Sequence, residues 1–227
     1  MPDAGLPRGQ EAIDFFPRFG VPAYAERWPQ VPDRPSLTIG GLVEAPFTLA
    51  LGELAVLPQV EITTDFHCVT TWTRRGLRWG GYRLTDVLDN LVRPRSRPRP
   101  AARYLCFASL DGYRICIDLR DIDGEMLLAD RLDGAPLSIE HGAPIRLIAP
   151  ALYGYKNPKH VCGIEFLADF RRGYAERQTL AHPRGRVALE ERGRFLPGSV
   201  YRYLYRALIP MTLASYERAA KRRMTQT

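Results

Sequence analysis

The chain has 227 residues with ordinary apolar content, enough for one generous domain or one domain with an appendage. Its four cysteines contain no C-x-x-C pair, which argues against both a zinc site and a disulfide framework. The net charge of +7 is unevenly placed: residues 1–167 carry 19 basic and 20 acidic side chains, residues 168–227 carry 13 and 5. That distribution argues against a nucleic-acid-binding core and leaves a basic tail free to meet an acidic partner or surface.

The first 36 residues are proline-rich and aperiodic, so they read as an arm lying on the surface. They show no charged-then-apolar signal pattern, and no run approaches the roughly 18 apolar residues of a membrane span. No transmembrane segment is therefore expected, and a cytoplasmic location is the default expectation. Leu37 to Val43 alternates as a strand, Pro46 to Leu51 as a second, and Leu51–Leu54 as a brief helical turn. A further strand carrying Val60 and Ile62 runs into Asp65-Phe66-His67-Cys68-Val69-Thr70-Thr71-Trp72. Arg74, Arg75 and Arg78 read as a basic turn. Leu84, Leu88, Val87 and Leu91 repeat at helical spacing, and Thr85 or Asp86 can cap the start. Arg93 to Pro100 holds three prolines and is expected to be an extended, charged loop.

Strands are expected at Arg103 to Ala108 and Tyr113 to Leu119, joined by the turn-forming Ser109-Leu110-Asp111-Gly112. Shorter ones follow at Met126 to Ala129 and Ile145 to Ala149, and a last one at Val161 to Leu167. Arg146 stands alone among apolar neighbours, where a desolvated charge requires a partner: an internal carboxylate or a bound anion. The chain has 29 arginines and three lysines, two of which, Lys156 and Lys159, follow Gly154. In the tail, Val200, Tyr203, Leu204, Ala207, Leu208 and Met211 mark an amphipathic helix that Pro210 must kink or split. It is expected to pack back on the domain, with Glu217 and Lys221 paired across one turn.

The cysteines divide by setting. Cys106, Cys116 and Cys162 sit in apolar runs and read as small buried hydrophobes. Cys68 lies where apolar periodicity stops, with His67 before it and two threonines after it, the setting of a ligand or nucleophile. A satisfied buried thiol is the plain alternative.

Five fragments in order resemble the molybdopterin-binding domain of the sulfite oxidase family. They are Ile39-Gly40-Gly41-Leu42-Val43 with Pro46, the Cys68 stretch, Trp79-Gly80-Gly81-Tyr82, Ser109-Leu110-Asp111-Gly112-Tyr113, and His141-Gly142-Ala143-Pro144-Ile145-Arg146 followed by Tyr153-Gly154-Tyr155-Lys156-Asn157-Pro158-Lys159. The likeness spans roughly residues 16–175. It implies an α+β fold of mixed sheets with short flanking helices, in residues 37–175, between the arm and a partly helical C-terminal extension from 176 to 227. It also implies a Mo-molybdopterin cofactor, with Cys68 as the metal ligand and a catalytic residue. Arg146 and Lys159 would neutralise the cofactor phosphate; His141 and Asn157 would read the pterin edge, with Pro158 in the same loop. His67 and Ser109 would flank the cofactor, although turn chemistry alone also explains Ser109. Phe16-Pro17-Arg18-Phe19-Gly20 resembles the segment that crosses the cofactor, which would bring Arg18 and Phe19 to it; a solvated surface arginine is the alternative for Arg18. Tyr174 stands at about the family's distance for an active-site tyrosine.

Two departures matter. Sulfite-oxidising members place an arginine five residues after the metal cysteine, where this chain has Thr73. Beyond Tyr174 only about fifty residues remain in place of the family's sandwich domain of roughly a hundred. A neutral S-oxide or N-oxide is then as plausible a small-molecule substrate as sulfite. No haem or flavin motif is present, so electrons are expected from a separate donor or acceptor protein. The alternatives are a module that holds molybdopterin without turnover and a metal-free interaction protein working through its basic tail.

Overall fold

A computed structural model describes residues 5–16, 22–178 and 180–224. Arg18 and Phe19 lie outside the described residues, as does the side chain of Glu217 and with it the expected Glu217–Lys221 pair. The strands are β1 (Glu11–Ile13), β2 (Ser36–Gly41), β3 (Phe47–Ala50), β4 (Val60–His67), β5 (Trp72–Arg83), β6 (Tyr104–Ser109), β7 (Arg114–Asp118), β8 (Leu127–Leu132), β9 (Ala135–Pro136), β10 (Arg146–Ile148) and β11 (Val161–Leu167). They form two sheets. One runs β1-β5-β8-β10, with β4 beside β5 and β9 beside β8; the other runs β3-β2-β11-β6-β7. β1 and β2 join β5 and β11 in parallel and most other pairings are antiparallel, so the sheets are mixed.

Alternation carries the local logic. In β2, Leu37 and Ile39 are fully buried while Thr38 between them is exposed. Leu37, Ile39, Phe107, Ile115, Ile164 and Phe166 from the five-stranded sheet enter one apolar core together with Leu128 and Leu147 from the other.

Several expectations are corrected. Arg74, Arg75 and Arg78 belong to the twelve-residue β5, not to a turn. The inward pair Leu77 and Trp79 sets that strand's pattern, which the intervening arginines mask in the sequence. Second, the stretch from Arg93 begins as helix: α1 (Leu84–Asp86) continues through a π-helical segment, Val87–Val92, into α2 (Arg93–Ser96). The wider turn bonds the Arg93 N–H to the Leu88 carbonyl, opening the helix just where Pro94 has no N–H to give. It also moves the buried position from Leu91 to Val92. The helix ends at Arg97, in the left-handed region with φ 49°.

The arm is not merely laid on the surface, because Glu11–Ile13 pairs with Trp72–Arg74. In the extension, α3 (Tyr174–Gln178) precedes α4 (Gly198–Met224), a 27-residue element that Pro210 does not split. α4 does pack back on the domain, but through Tyr201 and Tyr205. Val200, Tyr203, Leu204 and Ala207 of the expected buried stripe face outward instead. Arg202 pairs with Glu190 and Arg206 with Glu11, so polar pairing as well as tyrosine burial fixes which side of the helix faces in.

Candidate active site

Cys68 occupies the turn that joins β4 to β5 and is 3 % exposed. Its N–H donates to the Trp72 carbonyl (2.8 Å) and its carbonyl accepts from the Thr71 N–H (3.2 Å), closing the loop 68–71. Thr71 adopts φ 80°, a region costly for a β-branched residue, and strain of this kind persists where surroundings over-determine it. The surroundings here are both chain ends. Gln10 Nε2 donates to the Cys68 carbonyl (3.0 Å), the Glu11 N–H to the Thr71 carbonyl (2.9 Å), and Arg192 Nη1 to the Val69 carbonyl (2.6 Å). Cys68 Sγ lies 3.1 Å from Thr70 Oγ1. Burial pushes the free thiol up to about 11, against the pull of Thr70 and Arg192. A bound metal reverses that preference, because a coordinating thiol is deprotonated.

Thr73 is fully buried and committed: its Oγ1 donates to Gln10 Oε1 (3.2 Å) and lies 2.8 Å from His67 Nδ1. Burial, more than any charge, holds His67 below its usual range. A hydroxyl–amide network therefore stands where sulfite-oxidising members of the resembled family carry a cation.

From Cys68 an aromatic wall leads to Arg146. Phe66 lies against Trp72 (6.1 Å between ring centres) and edge-on to Phe16 (5.2 Å); Phe16 stacks on His141 at 4.9 Å and 7° and meets Trp79 edge-on. Gly154 makes this possible, since a Cβ there would come within 2.6 Å of the Phe66 ring. Gly142, at φ +113°, brings the His141 turn against Arg146 and Lys159 in a way side-chain-bearing residues rarely allow.

Arg146 is 1 % exposed, and no carboxylate pairs with it among the described residues. It donates to the carbonyls of His141 (2.8 Å) and Asn157 (3.2 Å), lies 5.1 Å from the Trp79 ring, and its Nε has no partner. Burial alone pulls its pKa down to about 9. Trp79 Nε1, Ser109 Oγ and His141 Nδ1 are likewise buried without partners. His141 is held down to about 4, chiefly by burial and then by Lys159 and Arg146, so it is neutral.

The remaining expected residues fall differently. Lys159, half-buried, donates to the Glu140 carbonyl (2.7 Å), beside Gly142. Pro158 is buried, and its carbonyl accepts from the Leu147 N–H. The Asn157 side chain is engaged as a strut within its own loop. Its Oδ1 takes the Ala149 N–H at 2.6 Å, and its Nδ2 serves the Leu152 and Tyr153 carbonyls. Tyr174 stands edge-on to Tyr24 (5.4 Å). The tyrosines within electrostatic reach of Cys68 are Tyr153 and Tyr205, both pushed up to about 12 by burial first. Cys106 and Cys116 are buried cross-strand neighbours, whereas Cys162 is only half-buried. Sequence reasoning did not single out Gln10, Phe66, Tyr153 or Arg192, although Phe66 and Tyr153 lie inside the motif stretches read above.

The chain belongs to the family described as the oxidoreductase molybdopterin-binding domain, whose model matches residues 25–175. It is thus a molybdopterin-dependent oxidoreductase domain of the sulfite oxidase type, and its cofactor is Mo-molybdopterin. It is 31% identical over 186 residues to an uncharacterized oxidoreductase of Bacillus subtilis, covering 79% of this chain and 87% of that one. A putative protein-methionine-sulfoxide reductase subunit of Azospira oryzae is 32% identical over 143 residues (63% of this chain, 52% of that one), and the sulfite oxidase of Arabidopsis thaliana 26% over 170 (61% and 43%). The chain thus spans about half the length of these last two. The sulfane dehydrogenase SoxCD of Paracoccus pantotrophus shares the fold at TM-score 0.54 and 20% identity, over 67% of this chain and 43% of that one.

The residues fit such a cofactor on their own terms. A buried guanidinium without a counter-ion suits a phosphate, a ring-lined wall with orphaned polar edges suits a flat heterocycle, and a thiol stands at the other end.

Proposed function

We propose that this chain transfers an oxygen atom between water and a small, neutral sulfur or nitrogen oxide, exchanging two electrons with a separate carrier protein. For a sulfoxide the balanced step takes the oxide, two protons and two electrons to the sulfide and water. The observation that carries this reading is Thr73, buried and spent on His67 and Gln10, so that this position offers no cation to an anionic substrate. The sulfoxide-reductase names of two relatives, one of them called a catalytic subunit, support the substrate class and the separate electron source.

When bound, the cofactor supplies the redox-active metal and its dithiolene sulfurs. The chain's residues do the rest. Cys68 offers an anionic, polarisable ligand in a turn fixed from both chain ends. Arg146, with Lys159 beside it, would neutralise the phosphate, and Phe16 and His141 would offer a flat apolar face to the pterin. Trp72 and Phe66 exclude water near Cys68, which strengthens every charge interaction inside.

The test uses protein purified from a host that makes the cofactor. It should contain about one molybdenum per chain and oxidise a reduced dye with a dialkyl sulfoxide faster than it reduces an acceptor with sulfite. Cys68→Ser should erase the metal's electronic spectrum while Cys106→Ser leaves it. Sulfite turnover exceeding sulfoxide turnover would overturn the substrate class. Identical spectra for wild type and Cys68→Ser would overturn the ligand assignment.

A further inference from the structure

α4 is fastened to the N-terminal arm at points far apart on both. Gly9 passes so close under Arg202 that a Cβ there would collide with that side chain, and Arg206 pairs with Glu11. Sixteen residues further along the helix, about 24 Å at 1.5 Å per residue, Arg222 Nη1 meets Glu26 Oε1 at 2.6 Å. The helix also meets the turn Pro22–Tyr24.

The arm between Gly9 and Glu26 carries residues that reach the candidate site. Gln10 Nε2 and the Glu11 N–H hold the Cys68 and Thr71 carbonyls, the two ends of the metal-ligand turn. Phe16 stacks on His141 at 4.9 Å and stands edge-on to Phe66 and Trp79. A flat heterocycle that uses this wall has Phe16 as part of its seat, so the hold on the arm sets how long the heterocycle stays.

That hold is graded. Tyr201 and Tyr205 are buried and anchor the start of the helix. The two ion pairs are wet: the Arg206 and Glu11 side chains are 46 % and 66 % exposed, those of Arg222 and Glu26 68 % and 65 %. Pairs so exposed are worth at most about fivefold each in an equilibrium. They fasten the arm without making it permanent.

We propose that α4 is a clamp in which Arg206 and Arg222 are positioning residues. They act through the arm to keep Phe16 on the wall, and the cofactor exchanges when they let go. The proposal rests on the wall as the cofactor's seat and is independent of the substrate assigned above.

The test measures how fast loaded protein loses its pterin and, in cofactor-free protein, how fast the arm's amides exchange with deuterium. Arg206→Glu with Arg222→Glu should speed pterin loss about tenfold and the exchange of Glu11 to Ile13 about as much. Val161 to Leu167, in the core sheet, should exchange as in the wild type. Adding Glu11→Arg and Glu26→Arg should bring both rates back to within about twofold of wild type, a rescue that general destabilisation does not give. Pterin loss from the wild type should quicken as salt rises, because exposed pairs are screened, and that response should vanish in Arg206→Gln with Arg222→Gln.

Unchanged rates in the reversed variant overturn the clamp, and so does a charge swap that restores neither. Should the reversed variant not fold, salt-independent pterin loss from the wild type overturns it instead. Faster arm exchange with unaltered pterin loss overturns the part assigned to the clamp in holding the cofactor. A chain that takes up no molybdopterin sinks the cofactor reading, and the exchange rates of the cofactor-free protein still decide whether Arg206 and Arg222 hold the arm.

Discussion

Arg192 Nη1 reaches the Val69 carbonyl at 2.6 Å, so a side chain 123 residues downstream holds the backbone beside the candidate metal ligand. The same guanidinium gives its Nη2 to the Arg8 carbonyl at 2.9 Å and its Nε to Glu190, and it is fully buried with the Tyr153 ring 5.1 Å away. The extension therefore forms part of the wall around the Cys68 loop.

That contact predicts a coupled loss. Arg192→Met removes a fully buried guanidinium and strips donors from the partly buried Val69 and Arg8 carbonyls, and should cost on the order of 3 kcal/mol in urea unfolding. The protein that remains folded should hold less molybdenum. Arg192→Lys should recover stability better than metal content, because a point charge cannot reproduce the two-directional fork. Wild-type molybdenum per folded chain in Arg192→Met would show that the loop needs no such support.

Arg146 predicts effects of unequal size in the apo and loaded proteins. Without cofactor, Arg146→Met relieves a buried, unpaired charge but abandons the His141 and Asn157 carbonyls. The two roughly cancel, to within about 1 kcal/mol. With cofactor, one lost charge-assisted contact costs about 1.5–3 kcal/mol, or roughly 10- to 150-fold in affinity. Apo melting curves and cofactor titrations separate these effects. Destabilisation of equal size in both states would make Arg146 a structural strut only.

How much of this was readable beforehand varies with the physics involved. The Val161–Leu167 strand was legible to the residue, because period-2 burial writes itself directly into residue type. Cys68 and Arg146 stood out because each conflicts with its surroundings. The long β5 was hidden because its outward residues are arginines, and the α2 turn because a π-helical segment relieves a proline that an α-helix would not tolerate. Arg192 was invisible. In a chain with 29 arginines nothing local distinguishes the one whose donors point to another segment's carbonyls. The buried side of α4 was misread for a related reason: tyrosines beside paired arginines outcompeted aliphatic residues for the inward face.

His141 predicts an acid-side loss of stability in the apo protein. Its folded pKa is depressed to about 4 from an unfolded value near 6.5, so between those values the unfolded chain binds the extra proton. The stabilisation from a neutral His141 is fully present above about pH 6.5 and is lost as pH falls towards 4. His141→Phe should flatten the stability–pH slope across that window while preserving the stack on Phe16. An unchanged slope would assign the acid sensitivity to other groups, His67 and His182 being the candidates.

Lys156 and Glu176 form a fully buried pair at 2.8 Å, and Lys156 also donates to the Cys116 carbonyl while Glu176 Oε2 accepts the Gly173 N–H. The local purpose of the lysine after Gly154 is thus to bolt α3 to β7, and its ammonium is spent within the chain. Removing one partner leaves the other charge stranded. Lys156→Met or Glu176→Leu alone should therefore cost about 3–5 kcal/mol. The double variant Lys156→Met/Glu176→Leu should cost less than either single change, since an apolar pair replaces a pair whose desolvation is itself expensive. Denaturant midpoints for the four proteins give the coupling energy directly. Cofactor content per folded chain should stay normal in all of them, unlike the loss expected for Arg146→Met. Additive costs, or cofactor loss in a fully folded Lys156→Met protein, would place this lysine at the cofactor instead.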